Sequence, residues 1–246
     1  MIFTRLMERC SINRQERYHM IIAIGGGEVY NHETYAIDQF IVASSNIDNP
    51  NLLFIPTASG DAQSYVEVIS DLYTSLGCTV DSLLLCEGTT TSEEAKSKIE
   101  KADIIYVGGG NTEYMMDVWR EYSVDRYLLD AYQDNKVLSG LSAGSICWFV
   151  AGHSDSEFVA EEENPTFKWV KGLGIIPYLH CPHYDEESRK DFEDLYIGQT
   201  TDAIAIENQV AIVWQDGEMR VIKANPEKNA YRLSWSENGL VKERLT

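Results

Sequence analysis

The run KVLSGLSAGSICWFV, residues 136–150, constrains this chain more than any other stretch. An apolar, strand-like approach through Val137 and Leu138 enters Gly140-Leu141-Ser142-Ala143-Gly144. A segment with Ile146, Trp148 and Phe149 follows and predicts a helix. Glycine at both ends of the pentapeptide permits a sharp strand-to-helix turn, because a side chain at either position would meet the crossing backbone. At such a turn the central serine is pushed out of the sheet edge, facing the positive end of the helix. Ser142 is thereby a candidate nucleophile. Gly-x-Ser-x-Gly also occurs in ordinary glycine turns, so the rest of the chain has to decide.

Upstream, MIIAIGGGEVY from Met20 is a short apolar run without alternation, as in a strand covered on both faces, and it runs into Gly25–Gly27. Asn51–Ile55 gives a second strand stopped by Pro56, VDSLLLC a third, and Asp103–Val107 a fourth that ends in Gly108-Gly109-Gly110-Asn111-Thr112. Helical patterns separate them. HETYAIDQFIVASS has Tyr35, Ile37, Phe40 and Ile41 as its inner stripe, and SYVEVISDLYTSLG has Val66, Ile69, Leu72 and Tyr73. Ser92 is expected to cap a third helix, and EYMMDVWREYSVDRYLLDAYQDN reads as helix in two pieces. This alternation predicts a doubly wound, mostly parallel sheet in a three-layer α/β/α arrangement. Ligands in such folds lie beyond the carboxyl ends of the strands, where the Gly25, Gly108 and Ser142 turns all fall.

Beyond the elbow, Tyr178–Tyr184 is extended because Pro182 biases its predecessor away from helix. EESRKDFEDLYIG reads as a charged helix and Asp202–Asn208 as a strand ending in a carboxylate. The alternating tail, with Asp216-Gly217 as a hairpin turn, predicts a small antiparallel addition at one sheet edge. Residues 20–246 are expected to form a single α/β domain. Residues 1–19 carry Arg5, Arg9, Arg14 and Arg17 without the apolar core of a secretory signal, and are expected to be a poorly ordered leader.

With 246 residues and 44% hydrophobic content, the chain can bury one full α/β core. Its 39 acidic and 20 basic residues leave a formal charge of −19, which repels nucleic-acid phosphates and anionic membranes. No apolar run approaches the ~20 residues that span a bilayer. Neither nucleic acid nor membrane is therefore an expected partner. Five scattered cysteines without a Cys-x-x-Cys pair suggest neither a disulfide framework nor a zinc knuckle, and fit reduced thiols in the cytoplasm.

A serine nucleophile needs a base, a group to orient the base, and donors for an oxyanion. Of the five histidines, His180 and His183 stand at the end of a strand after Ser142, with His183 nearer the loop. His153 falls near the end of the expected elbow helix, too close in sequence to fold back. His180-Cys181-Pro182-His183 is also a conceivable metal site, disfavoured because Pro182 prevents helical convergence. Glu207, directly after Ala203-Ile204-Ala205-Ile206, is the candidate orienting carboxylate, with Asp155 as rival. The Ala143 and Gly110 amides are candidate oxyanion donors. The Gly108–Asn111 turn suits a phosphate as well, although no Walker lysine accompanies it.

GGGNTEYMM, GLSAGSICWF, CPHY and AIEN, in this order and spacing, resemble peptidase family S51, which includes aspartyl dipeptidase and cyanophycinase. The resemblance runs from about Met20 to the final strands. It implies a fold akin to class I glutamine amidotransferases, with a Ser-His-Glu triad at a strand–helix elbow. Carried onto this sequence, Ser142 is the nucleophile, His183 the base, Glu207 the third member, and Gly110 and Ala143 the oxyanion amides. Gly109, Asn111, Asp155, Glu157 and Arg189 are the candidate substrate contacts, although the spacing of Arg189 departs from the dipeptidase pattern. The implied activity is hydrolysis of short peptides, with an acidic N-terminal residue as one candidate preference. No metal or organic cofactor is implied, and a homodimer is a candidate assembly. An amidohydrolase or esterase with the same triad, and a non-catalytic small-molecule binder, are the alternatives.

Overall fold

The structure, a computed structural model, describes residues 19–155 and 167–246. The leader expected over residues 1–19 lies outside them except for His19, whose Nδ1 contacts the Tyr132 carbonyl at 2.7 Å.

Five parallel strands, β1 (Met20–Ile24), β2 (Asn51–Ile55), β3 (Thr79–Ser82), β4 (Ile104–Val107) and β5 (Val137–Leu141), form most of a first sheet. β10 (Val210–Gln215) joins antiparallel beside β1, and β11 (Glu218–Lys223) beside β10. The order is β11-β10-β1-β5-β4-β2-β3. Alternate residues of these strands feed two cores, as the two-residue period of a strand requires. Ile22, Ile24, Phe54 and Tyr106 pack beneath α1 (Tyr35–Ser44) and α2 (Gln63–Ser75). Ile21, Ala23, Ile105 and Leu138 face α3 (Ser92–Lys101), α4 (Thr112–Tyr122) and α5 (Val124–Gln133). Helices thus cover both faces, and strands buried on both sides read as the continuous apolar runs of the sequence.

Details depart from expectation at capping positions and helix faces. Thr91, not Ser92, caps α3, in a complete capping box with Glu94. Tyr35 is exposed, whereas Ile37 and Ile41 are fully buried.

The larger departure is a second sheet. A single sheet with an antiparallel edge was expected. Instead β6 (Phe149–Ser154), β7 (Lys168–Lys171), β8 (Ile176–Cys181), β9 (Ala203–Ile206), β12 (Ala230–Ser236) and β13 (Gly239–Arg244) form their own sheet in the order β13-β12-β9-β8-β6-β7. The antiparallel tail is therefore split: the Asp216-Gly217 hairpin extends the first sheet, and β12–β13 the second. The elbow helix α6 spans only Ala143–Ile146, and the segment expected to continue it is β6. Aromatic and β-branched Phe149 and Val150 suit a strand, and Gly152 weakens a helix by about 1 kcal/mol. A Cβ on Gly152 would lie 2.6 Å from the Ile146 side chain, so β6 runs close against α6. The charged helix expected after His183 breaks into a 3-10 turn, Glu187–Arg189, and α7 (Phe192–Tyr196), which covers the outer face of the second sheet.

Candidate active site

Ser142 leaves β5 with φ 57° and ψ −113°, a conformation L-residues rarely adopt, and is followed at once by α6. The flanking glycines are sterically required. A Cβ on Gly140 would lie 2.2 Å from the Gly144 carbonyl oxygen, and one on Gly144 would lie 2.1 Å from the Val107 carbonyl oxygen. The strand-to-helix turn therefore exists only with both glycines present.

His183 follows β8, from the second sheet, also at positive φ (52°). Its Nε2 lies 2.8 Å from Ser142 Oγ. On the other side of the ring, Nδ1 faces Asn208 Oδ1 at 2.8 Å and Glu186 Oε1 at 3.0 Å. Asn208 Nδ2 donates to Glu186 Oε1 and Asp185 Oδ1, both at 3.1 Å. Those carboxylates fix the amide orientation, because only the Nδ2 end can donate to them. Oδ1 must then accept from His183, which puts the ring proton on Nδ1. Nε2 is left bare, as a base for the Ser142 hydroxyl must be. The hydrogen bond from His183 pushes the Glu186 carboxyl down to about 2, keeping it charged at neutral pH.

The triple glycine Gly25–Gly27 is explained here. His183 N–H donates to the Gly25 carbonyl (3.0 Å) and Gln209 N–H to that of Gly26 (2.8 Å). A Cβ on Gly26 would fall 2.3 Å from His183 Nδ1 and 2.1 Å from Asn208 Oδ1. The second glycine triplet closes the other side: a Cβ on Gly109 would be 3.4 Å from that of Ser142. Tyr65, also at the site, accepts from Gly109 N–H at 3.4 Å, and burial pushes its hydroxyl up to about 12.

Ser142 and His183 line a cleft of about 770 Å³, with Gly109, Gly110, Tyr65, Glu28, Glu33, Asp185, Glu186, Asn208 and Lys228 among the other lining residues. Ala143, as first residue of α6, has an amide with no partner inside the helix.

Other expected contacts lie elsewhere. Glu207 does not reach His183; its carboxylate accepts from Asn229 N–H (2.7 Å) and Tyr231 hydroxyl (3.3 Å). Asn111 caps α4 by accepting from Tyr114 N–H and does not line the cleft. Arg189 is buried against β6: it donates to the His153 carbonyl (3.0 Å), stacks on Phe167 (4.4 Å) and lies 4.0 Å from Asp155. Neither Arg189 nor Asp155 lines the cleft. Glu157 falls outside the described residues. His153 is fully buried on β6 rather than at the end of a helix, and burial, then Arg189, pushes its ring down to about 3. His180 holds the Ile204 carbonyl and Ser145 Oγ, both at 2.8 Å, so it does not converge with His183 on a shared metal.

Sequence reasoning missed Glu186 and Asn208. Their signal is proximity alone: Glu186 stands three residues after His183, within reach of one turn, and Asn208 directly follows Glu207.

The model of peptidase family S51 matches residues 21–222. The chain is 37% identical over 168 residues to an uncharacterized peptidase, YgaJ, of Bacillus subtilis (strain 168), covering 68% of this chain and 69% of that protein. It is 26% identical over 187 residues to a peptidase E of Shewanella denitrificans, covering 71% and 75%. The crystal structure of a peptidase from an acI-B1 Actinobacterium superposes with a TM-score of 0.69 over 92% of this chain and 93% of that one; at 19% identity this speaks for the fold. A family match across most of the chain, over a strand–serine–helix elbow, makes this protein a serine peptidase and a member of peptidase family S51.

Proposed function

We propose that the protein hydrolyses short peptides through Ser142 and His183, with Glu186 and Asn208 together in the place expected for Glu207. The observation that carries this reading is the 2.8 Å contact between Ser142 Oγ and His183 Nε2 inside a cleft large enough for a dipeptide. Ser142 attacks the scissile carbonyl and His183 Nε2 takes its proton. Glu186 and Asn208 hold the Nδ1 proton, and the Glu186 charge stabilises the imidazolium that forms. We assign the oxyanion to the N–H groups of Gly110, which lines the cleft, and of Ala143, which follows Ser142. His183 then passes the proton to the leaving amine, and water attacks the acyl-enzyme by the same route.

The charge of the cleft bears on substrate preference. Glu28, Glu33, Asp185 and Glu186 line it, and Lys228 is bound to Asp185. Such a lining repels an acidic N-terminal side chain and attracts a free α-amino group. We therefore assign selection to the peptide's amino group, in a cytoplasmic setting where the free thiols of Cys78, Cys86, Cys147 and Cys181 persist.

The test is intact-mass analysis after fluorophosphonate treatment of wild type and Ser142→Ala. One adduct on wild type, absent from the variant, is expected; an unlabelled, folded wild type would overturn the reading. With dipeptide substrates, Glu33→Gln should raise KM about threefold for free amino termini and leave N-acetylated analogues unaffected.

A further inference from the structure

A second serine–histidine contact lies directly below the first. Ser145, three residues after Ser142, places Oγ 2.8 Å from Nε2 of His180, three residues before His183. Both side chains are fully buried, and the His180 ring stacks on Phe149 at 4.2 Å.

Proton accounting shows what this lower pair does. His180 Nδ1 lies 2.8 Å from the Ile204 carbonyl, which can only accept, so the ring proton sits on Nδ1 and Nε2 is bare. The single Ser145 hydroxyl proton then has two acceptors at 2.8 Å: His180 Nε2 and the Ser142 carbonyl oxygen. That carbonyl also receives the N–H groups of Ser145 and Ile146, both at 2.9 Å. One hydroxyl therefore links the strained backbone of the elbow to a ring fixed on the second sheet.

The position matters because Ser142 and His183 come from different sheets. Ser142 follows β5 of the first sheet and His183 follows β8 of the second. A displacement of one sheet against the other would change their distance directly. The contact between Ser145 and His180 spans the same gap, one helical turn behind the nucleophile.

We propose that Ser145 and His180 are positioning residues that set the separation of Ser142 and His183. This rests on the reading of Ser142 as nucleophile, and the experiment separates the two ideas. Ser145→Ala, Ser145→Cys and a control, Ser139→Ala, are compared with wild type. Ser139 is also fully buried and also donates to a carbonyl, that of Ile105 at 3.0 Å, but it lies within β5 away from the dyad. The readouts are the rate of fluorophosphonate labelling and the ring ¹⁵N chemical shifts of His183, which report its bond to Ser142 without any turnover.

Both Ser145 variants should label about tenfold more slowly or worse and shift the His183 ring resonances, while Ser139→Ala matches wild type. Wild-type His183 resonances in both Ser145 variants would overturn the positioning role, as would equal changes in Ser139→Ala. If no protein labels, wild type included, the nucleophile reading falls and the His183 resonances alone decide the positioning role.

Discussion

Two serine–histidine contacts of equal length, 2.8 Å each, sit three residues apart in this fold, yet only one has the surroundings that nucleophilic chemistry requires. The upper pair, Ser142 with His183, opens on the cleft. Its imidazole is backed by Asn208 and by the Glu186 carboxylate, which compensates a charged ring. The lower pair, Ser145 with His180, is sealed from solvent and its imidazole is backed by a neutral carbonyl. Burial pushes the His180 ring down to about 3, so accepting a proton there is costly. Bond distance alone therefore does not make a serine nucleophilic. The group behind the histidine and the access in front of it decide.

The largest effect expected from this contrast is in Ser142→Ala, which should lower peptide turnover by about 10⁴-fold or more, measured as kcat/KM. Turnover retained in that variant, or an adduct shifted to Ser145, would erase the distinction between the pairs.

Gly26→Ala attacks the upper pair from behind. The added Cβ would overlap His183 Nδ1 and Asn208 Oδ1, so the imidazole must move off Ser142. A fall of about 100-fold in kcat is expected, the scale of an ångström of misplacement, with the melting temperature nearly unchanged. Gly60→Ala is a useful counterpart: it strains a positive φ of 66°, yet nothing lies within 4 Å of the new Cβ, so it should lower stability and spare turnover.

Much of the upper pair was legible in the sequence because local chemistry dictates it. Ser142 is announced by two glycines whose Cβ atoms would strike carbonyls, and the Gly25–Gly27 and Gly108–Gly110 turns by the apolar strands they end. The groups behind His183 were not legible, because β9 ends at Ile206 and the chain turns at once. Glu207 faces Asn229 and Tyr231, while Asn208, in the turn before β10, faces His183. The second sheet was not legible either. Ala203-Ile204-Ala205-Ile206 is buried on both faces in either arrangement, and only long-range pairing with β8 and β12 assigns it a sheet. The elbow helix is shorter than its apolar run suggests because Phe149, Val150 and Gly152 favour a strand.

Glu186→Gln weakens the compensation that distinguishes the upper pair, while keeping an acceptor for His183. A drop of about tenfold in kcat is expected with little change in KM, and a further drop when Asn208→Ala is added. The variant should also alter acid stability. The Glu186 carboxyl is depressed to about 2 in the fold, so its contribution is present above the ordinary carboxylate range and is lost as pH falls from about 4.5 towards 2. Denaturation midpoints of Glu186→Gln should be flatter across that window than those of wild type.

The smallest effect concerns the lower pair and is read as a slope. His180 is held near 3 in the fold and would titrate near 6.5 when unfolded. The unfolded chain then binds more protons between those values, so stability is full above about 6.5 and falls as pH drops towards 3. Each such ring contributes a slope of about 1.4 kcal/mol per pH unit. His153, also near 3, has the same sign as His180. Between pH 6.5 and 5 the Glu186 carboxyl is ionised in both states, whereas buried Asp38, pushed up to about 6, gains its proton in the fold first, so the slope there is the loss from the two rings less the gain from Asp38. Urea unfolding across this window should show the slope lowered by up to about 1.4 kcal/mol per pH unit in His180→Gln, whatever that change does to stability at neutral pH. An unchanged slope would mean that the His180 ring gains its proton as readily folded as unfolded. The lower pair would then be as able to carry a proton as the upper, and access to the cleft alone would separate them.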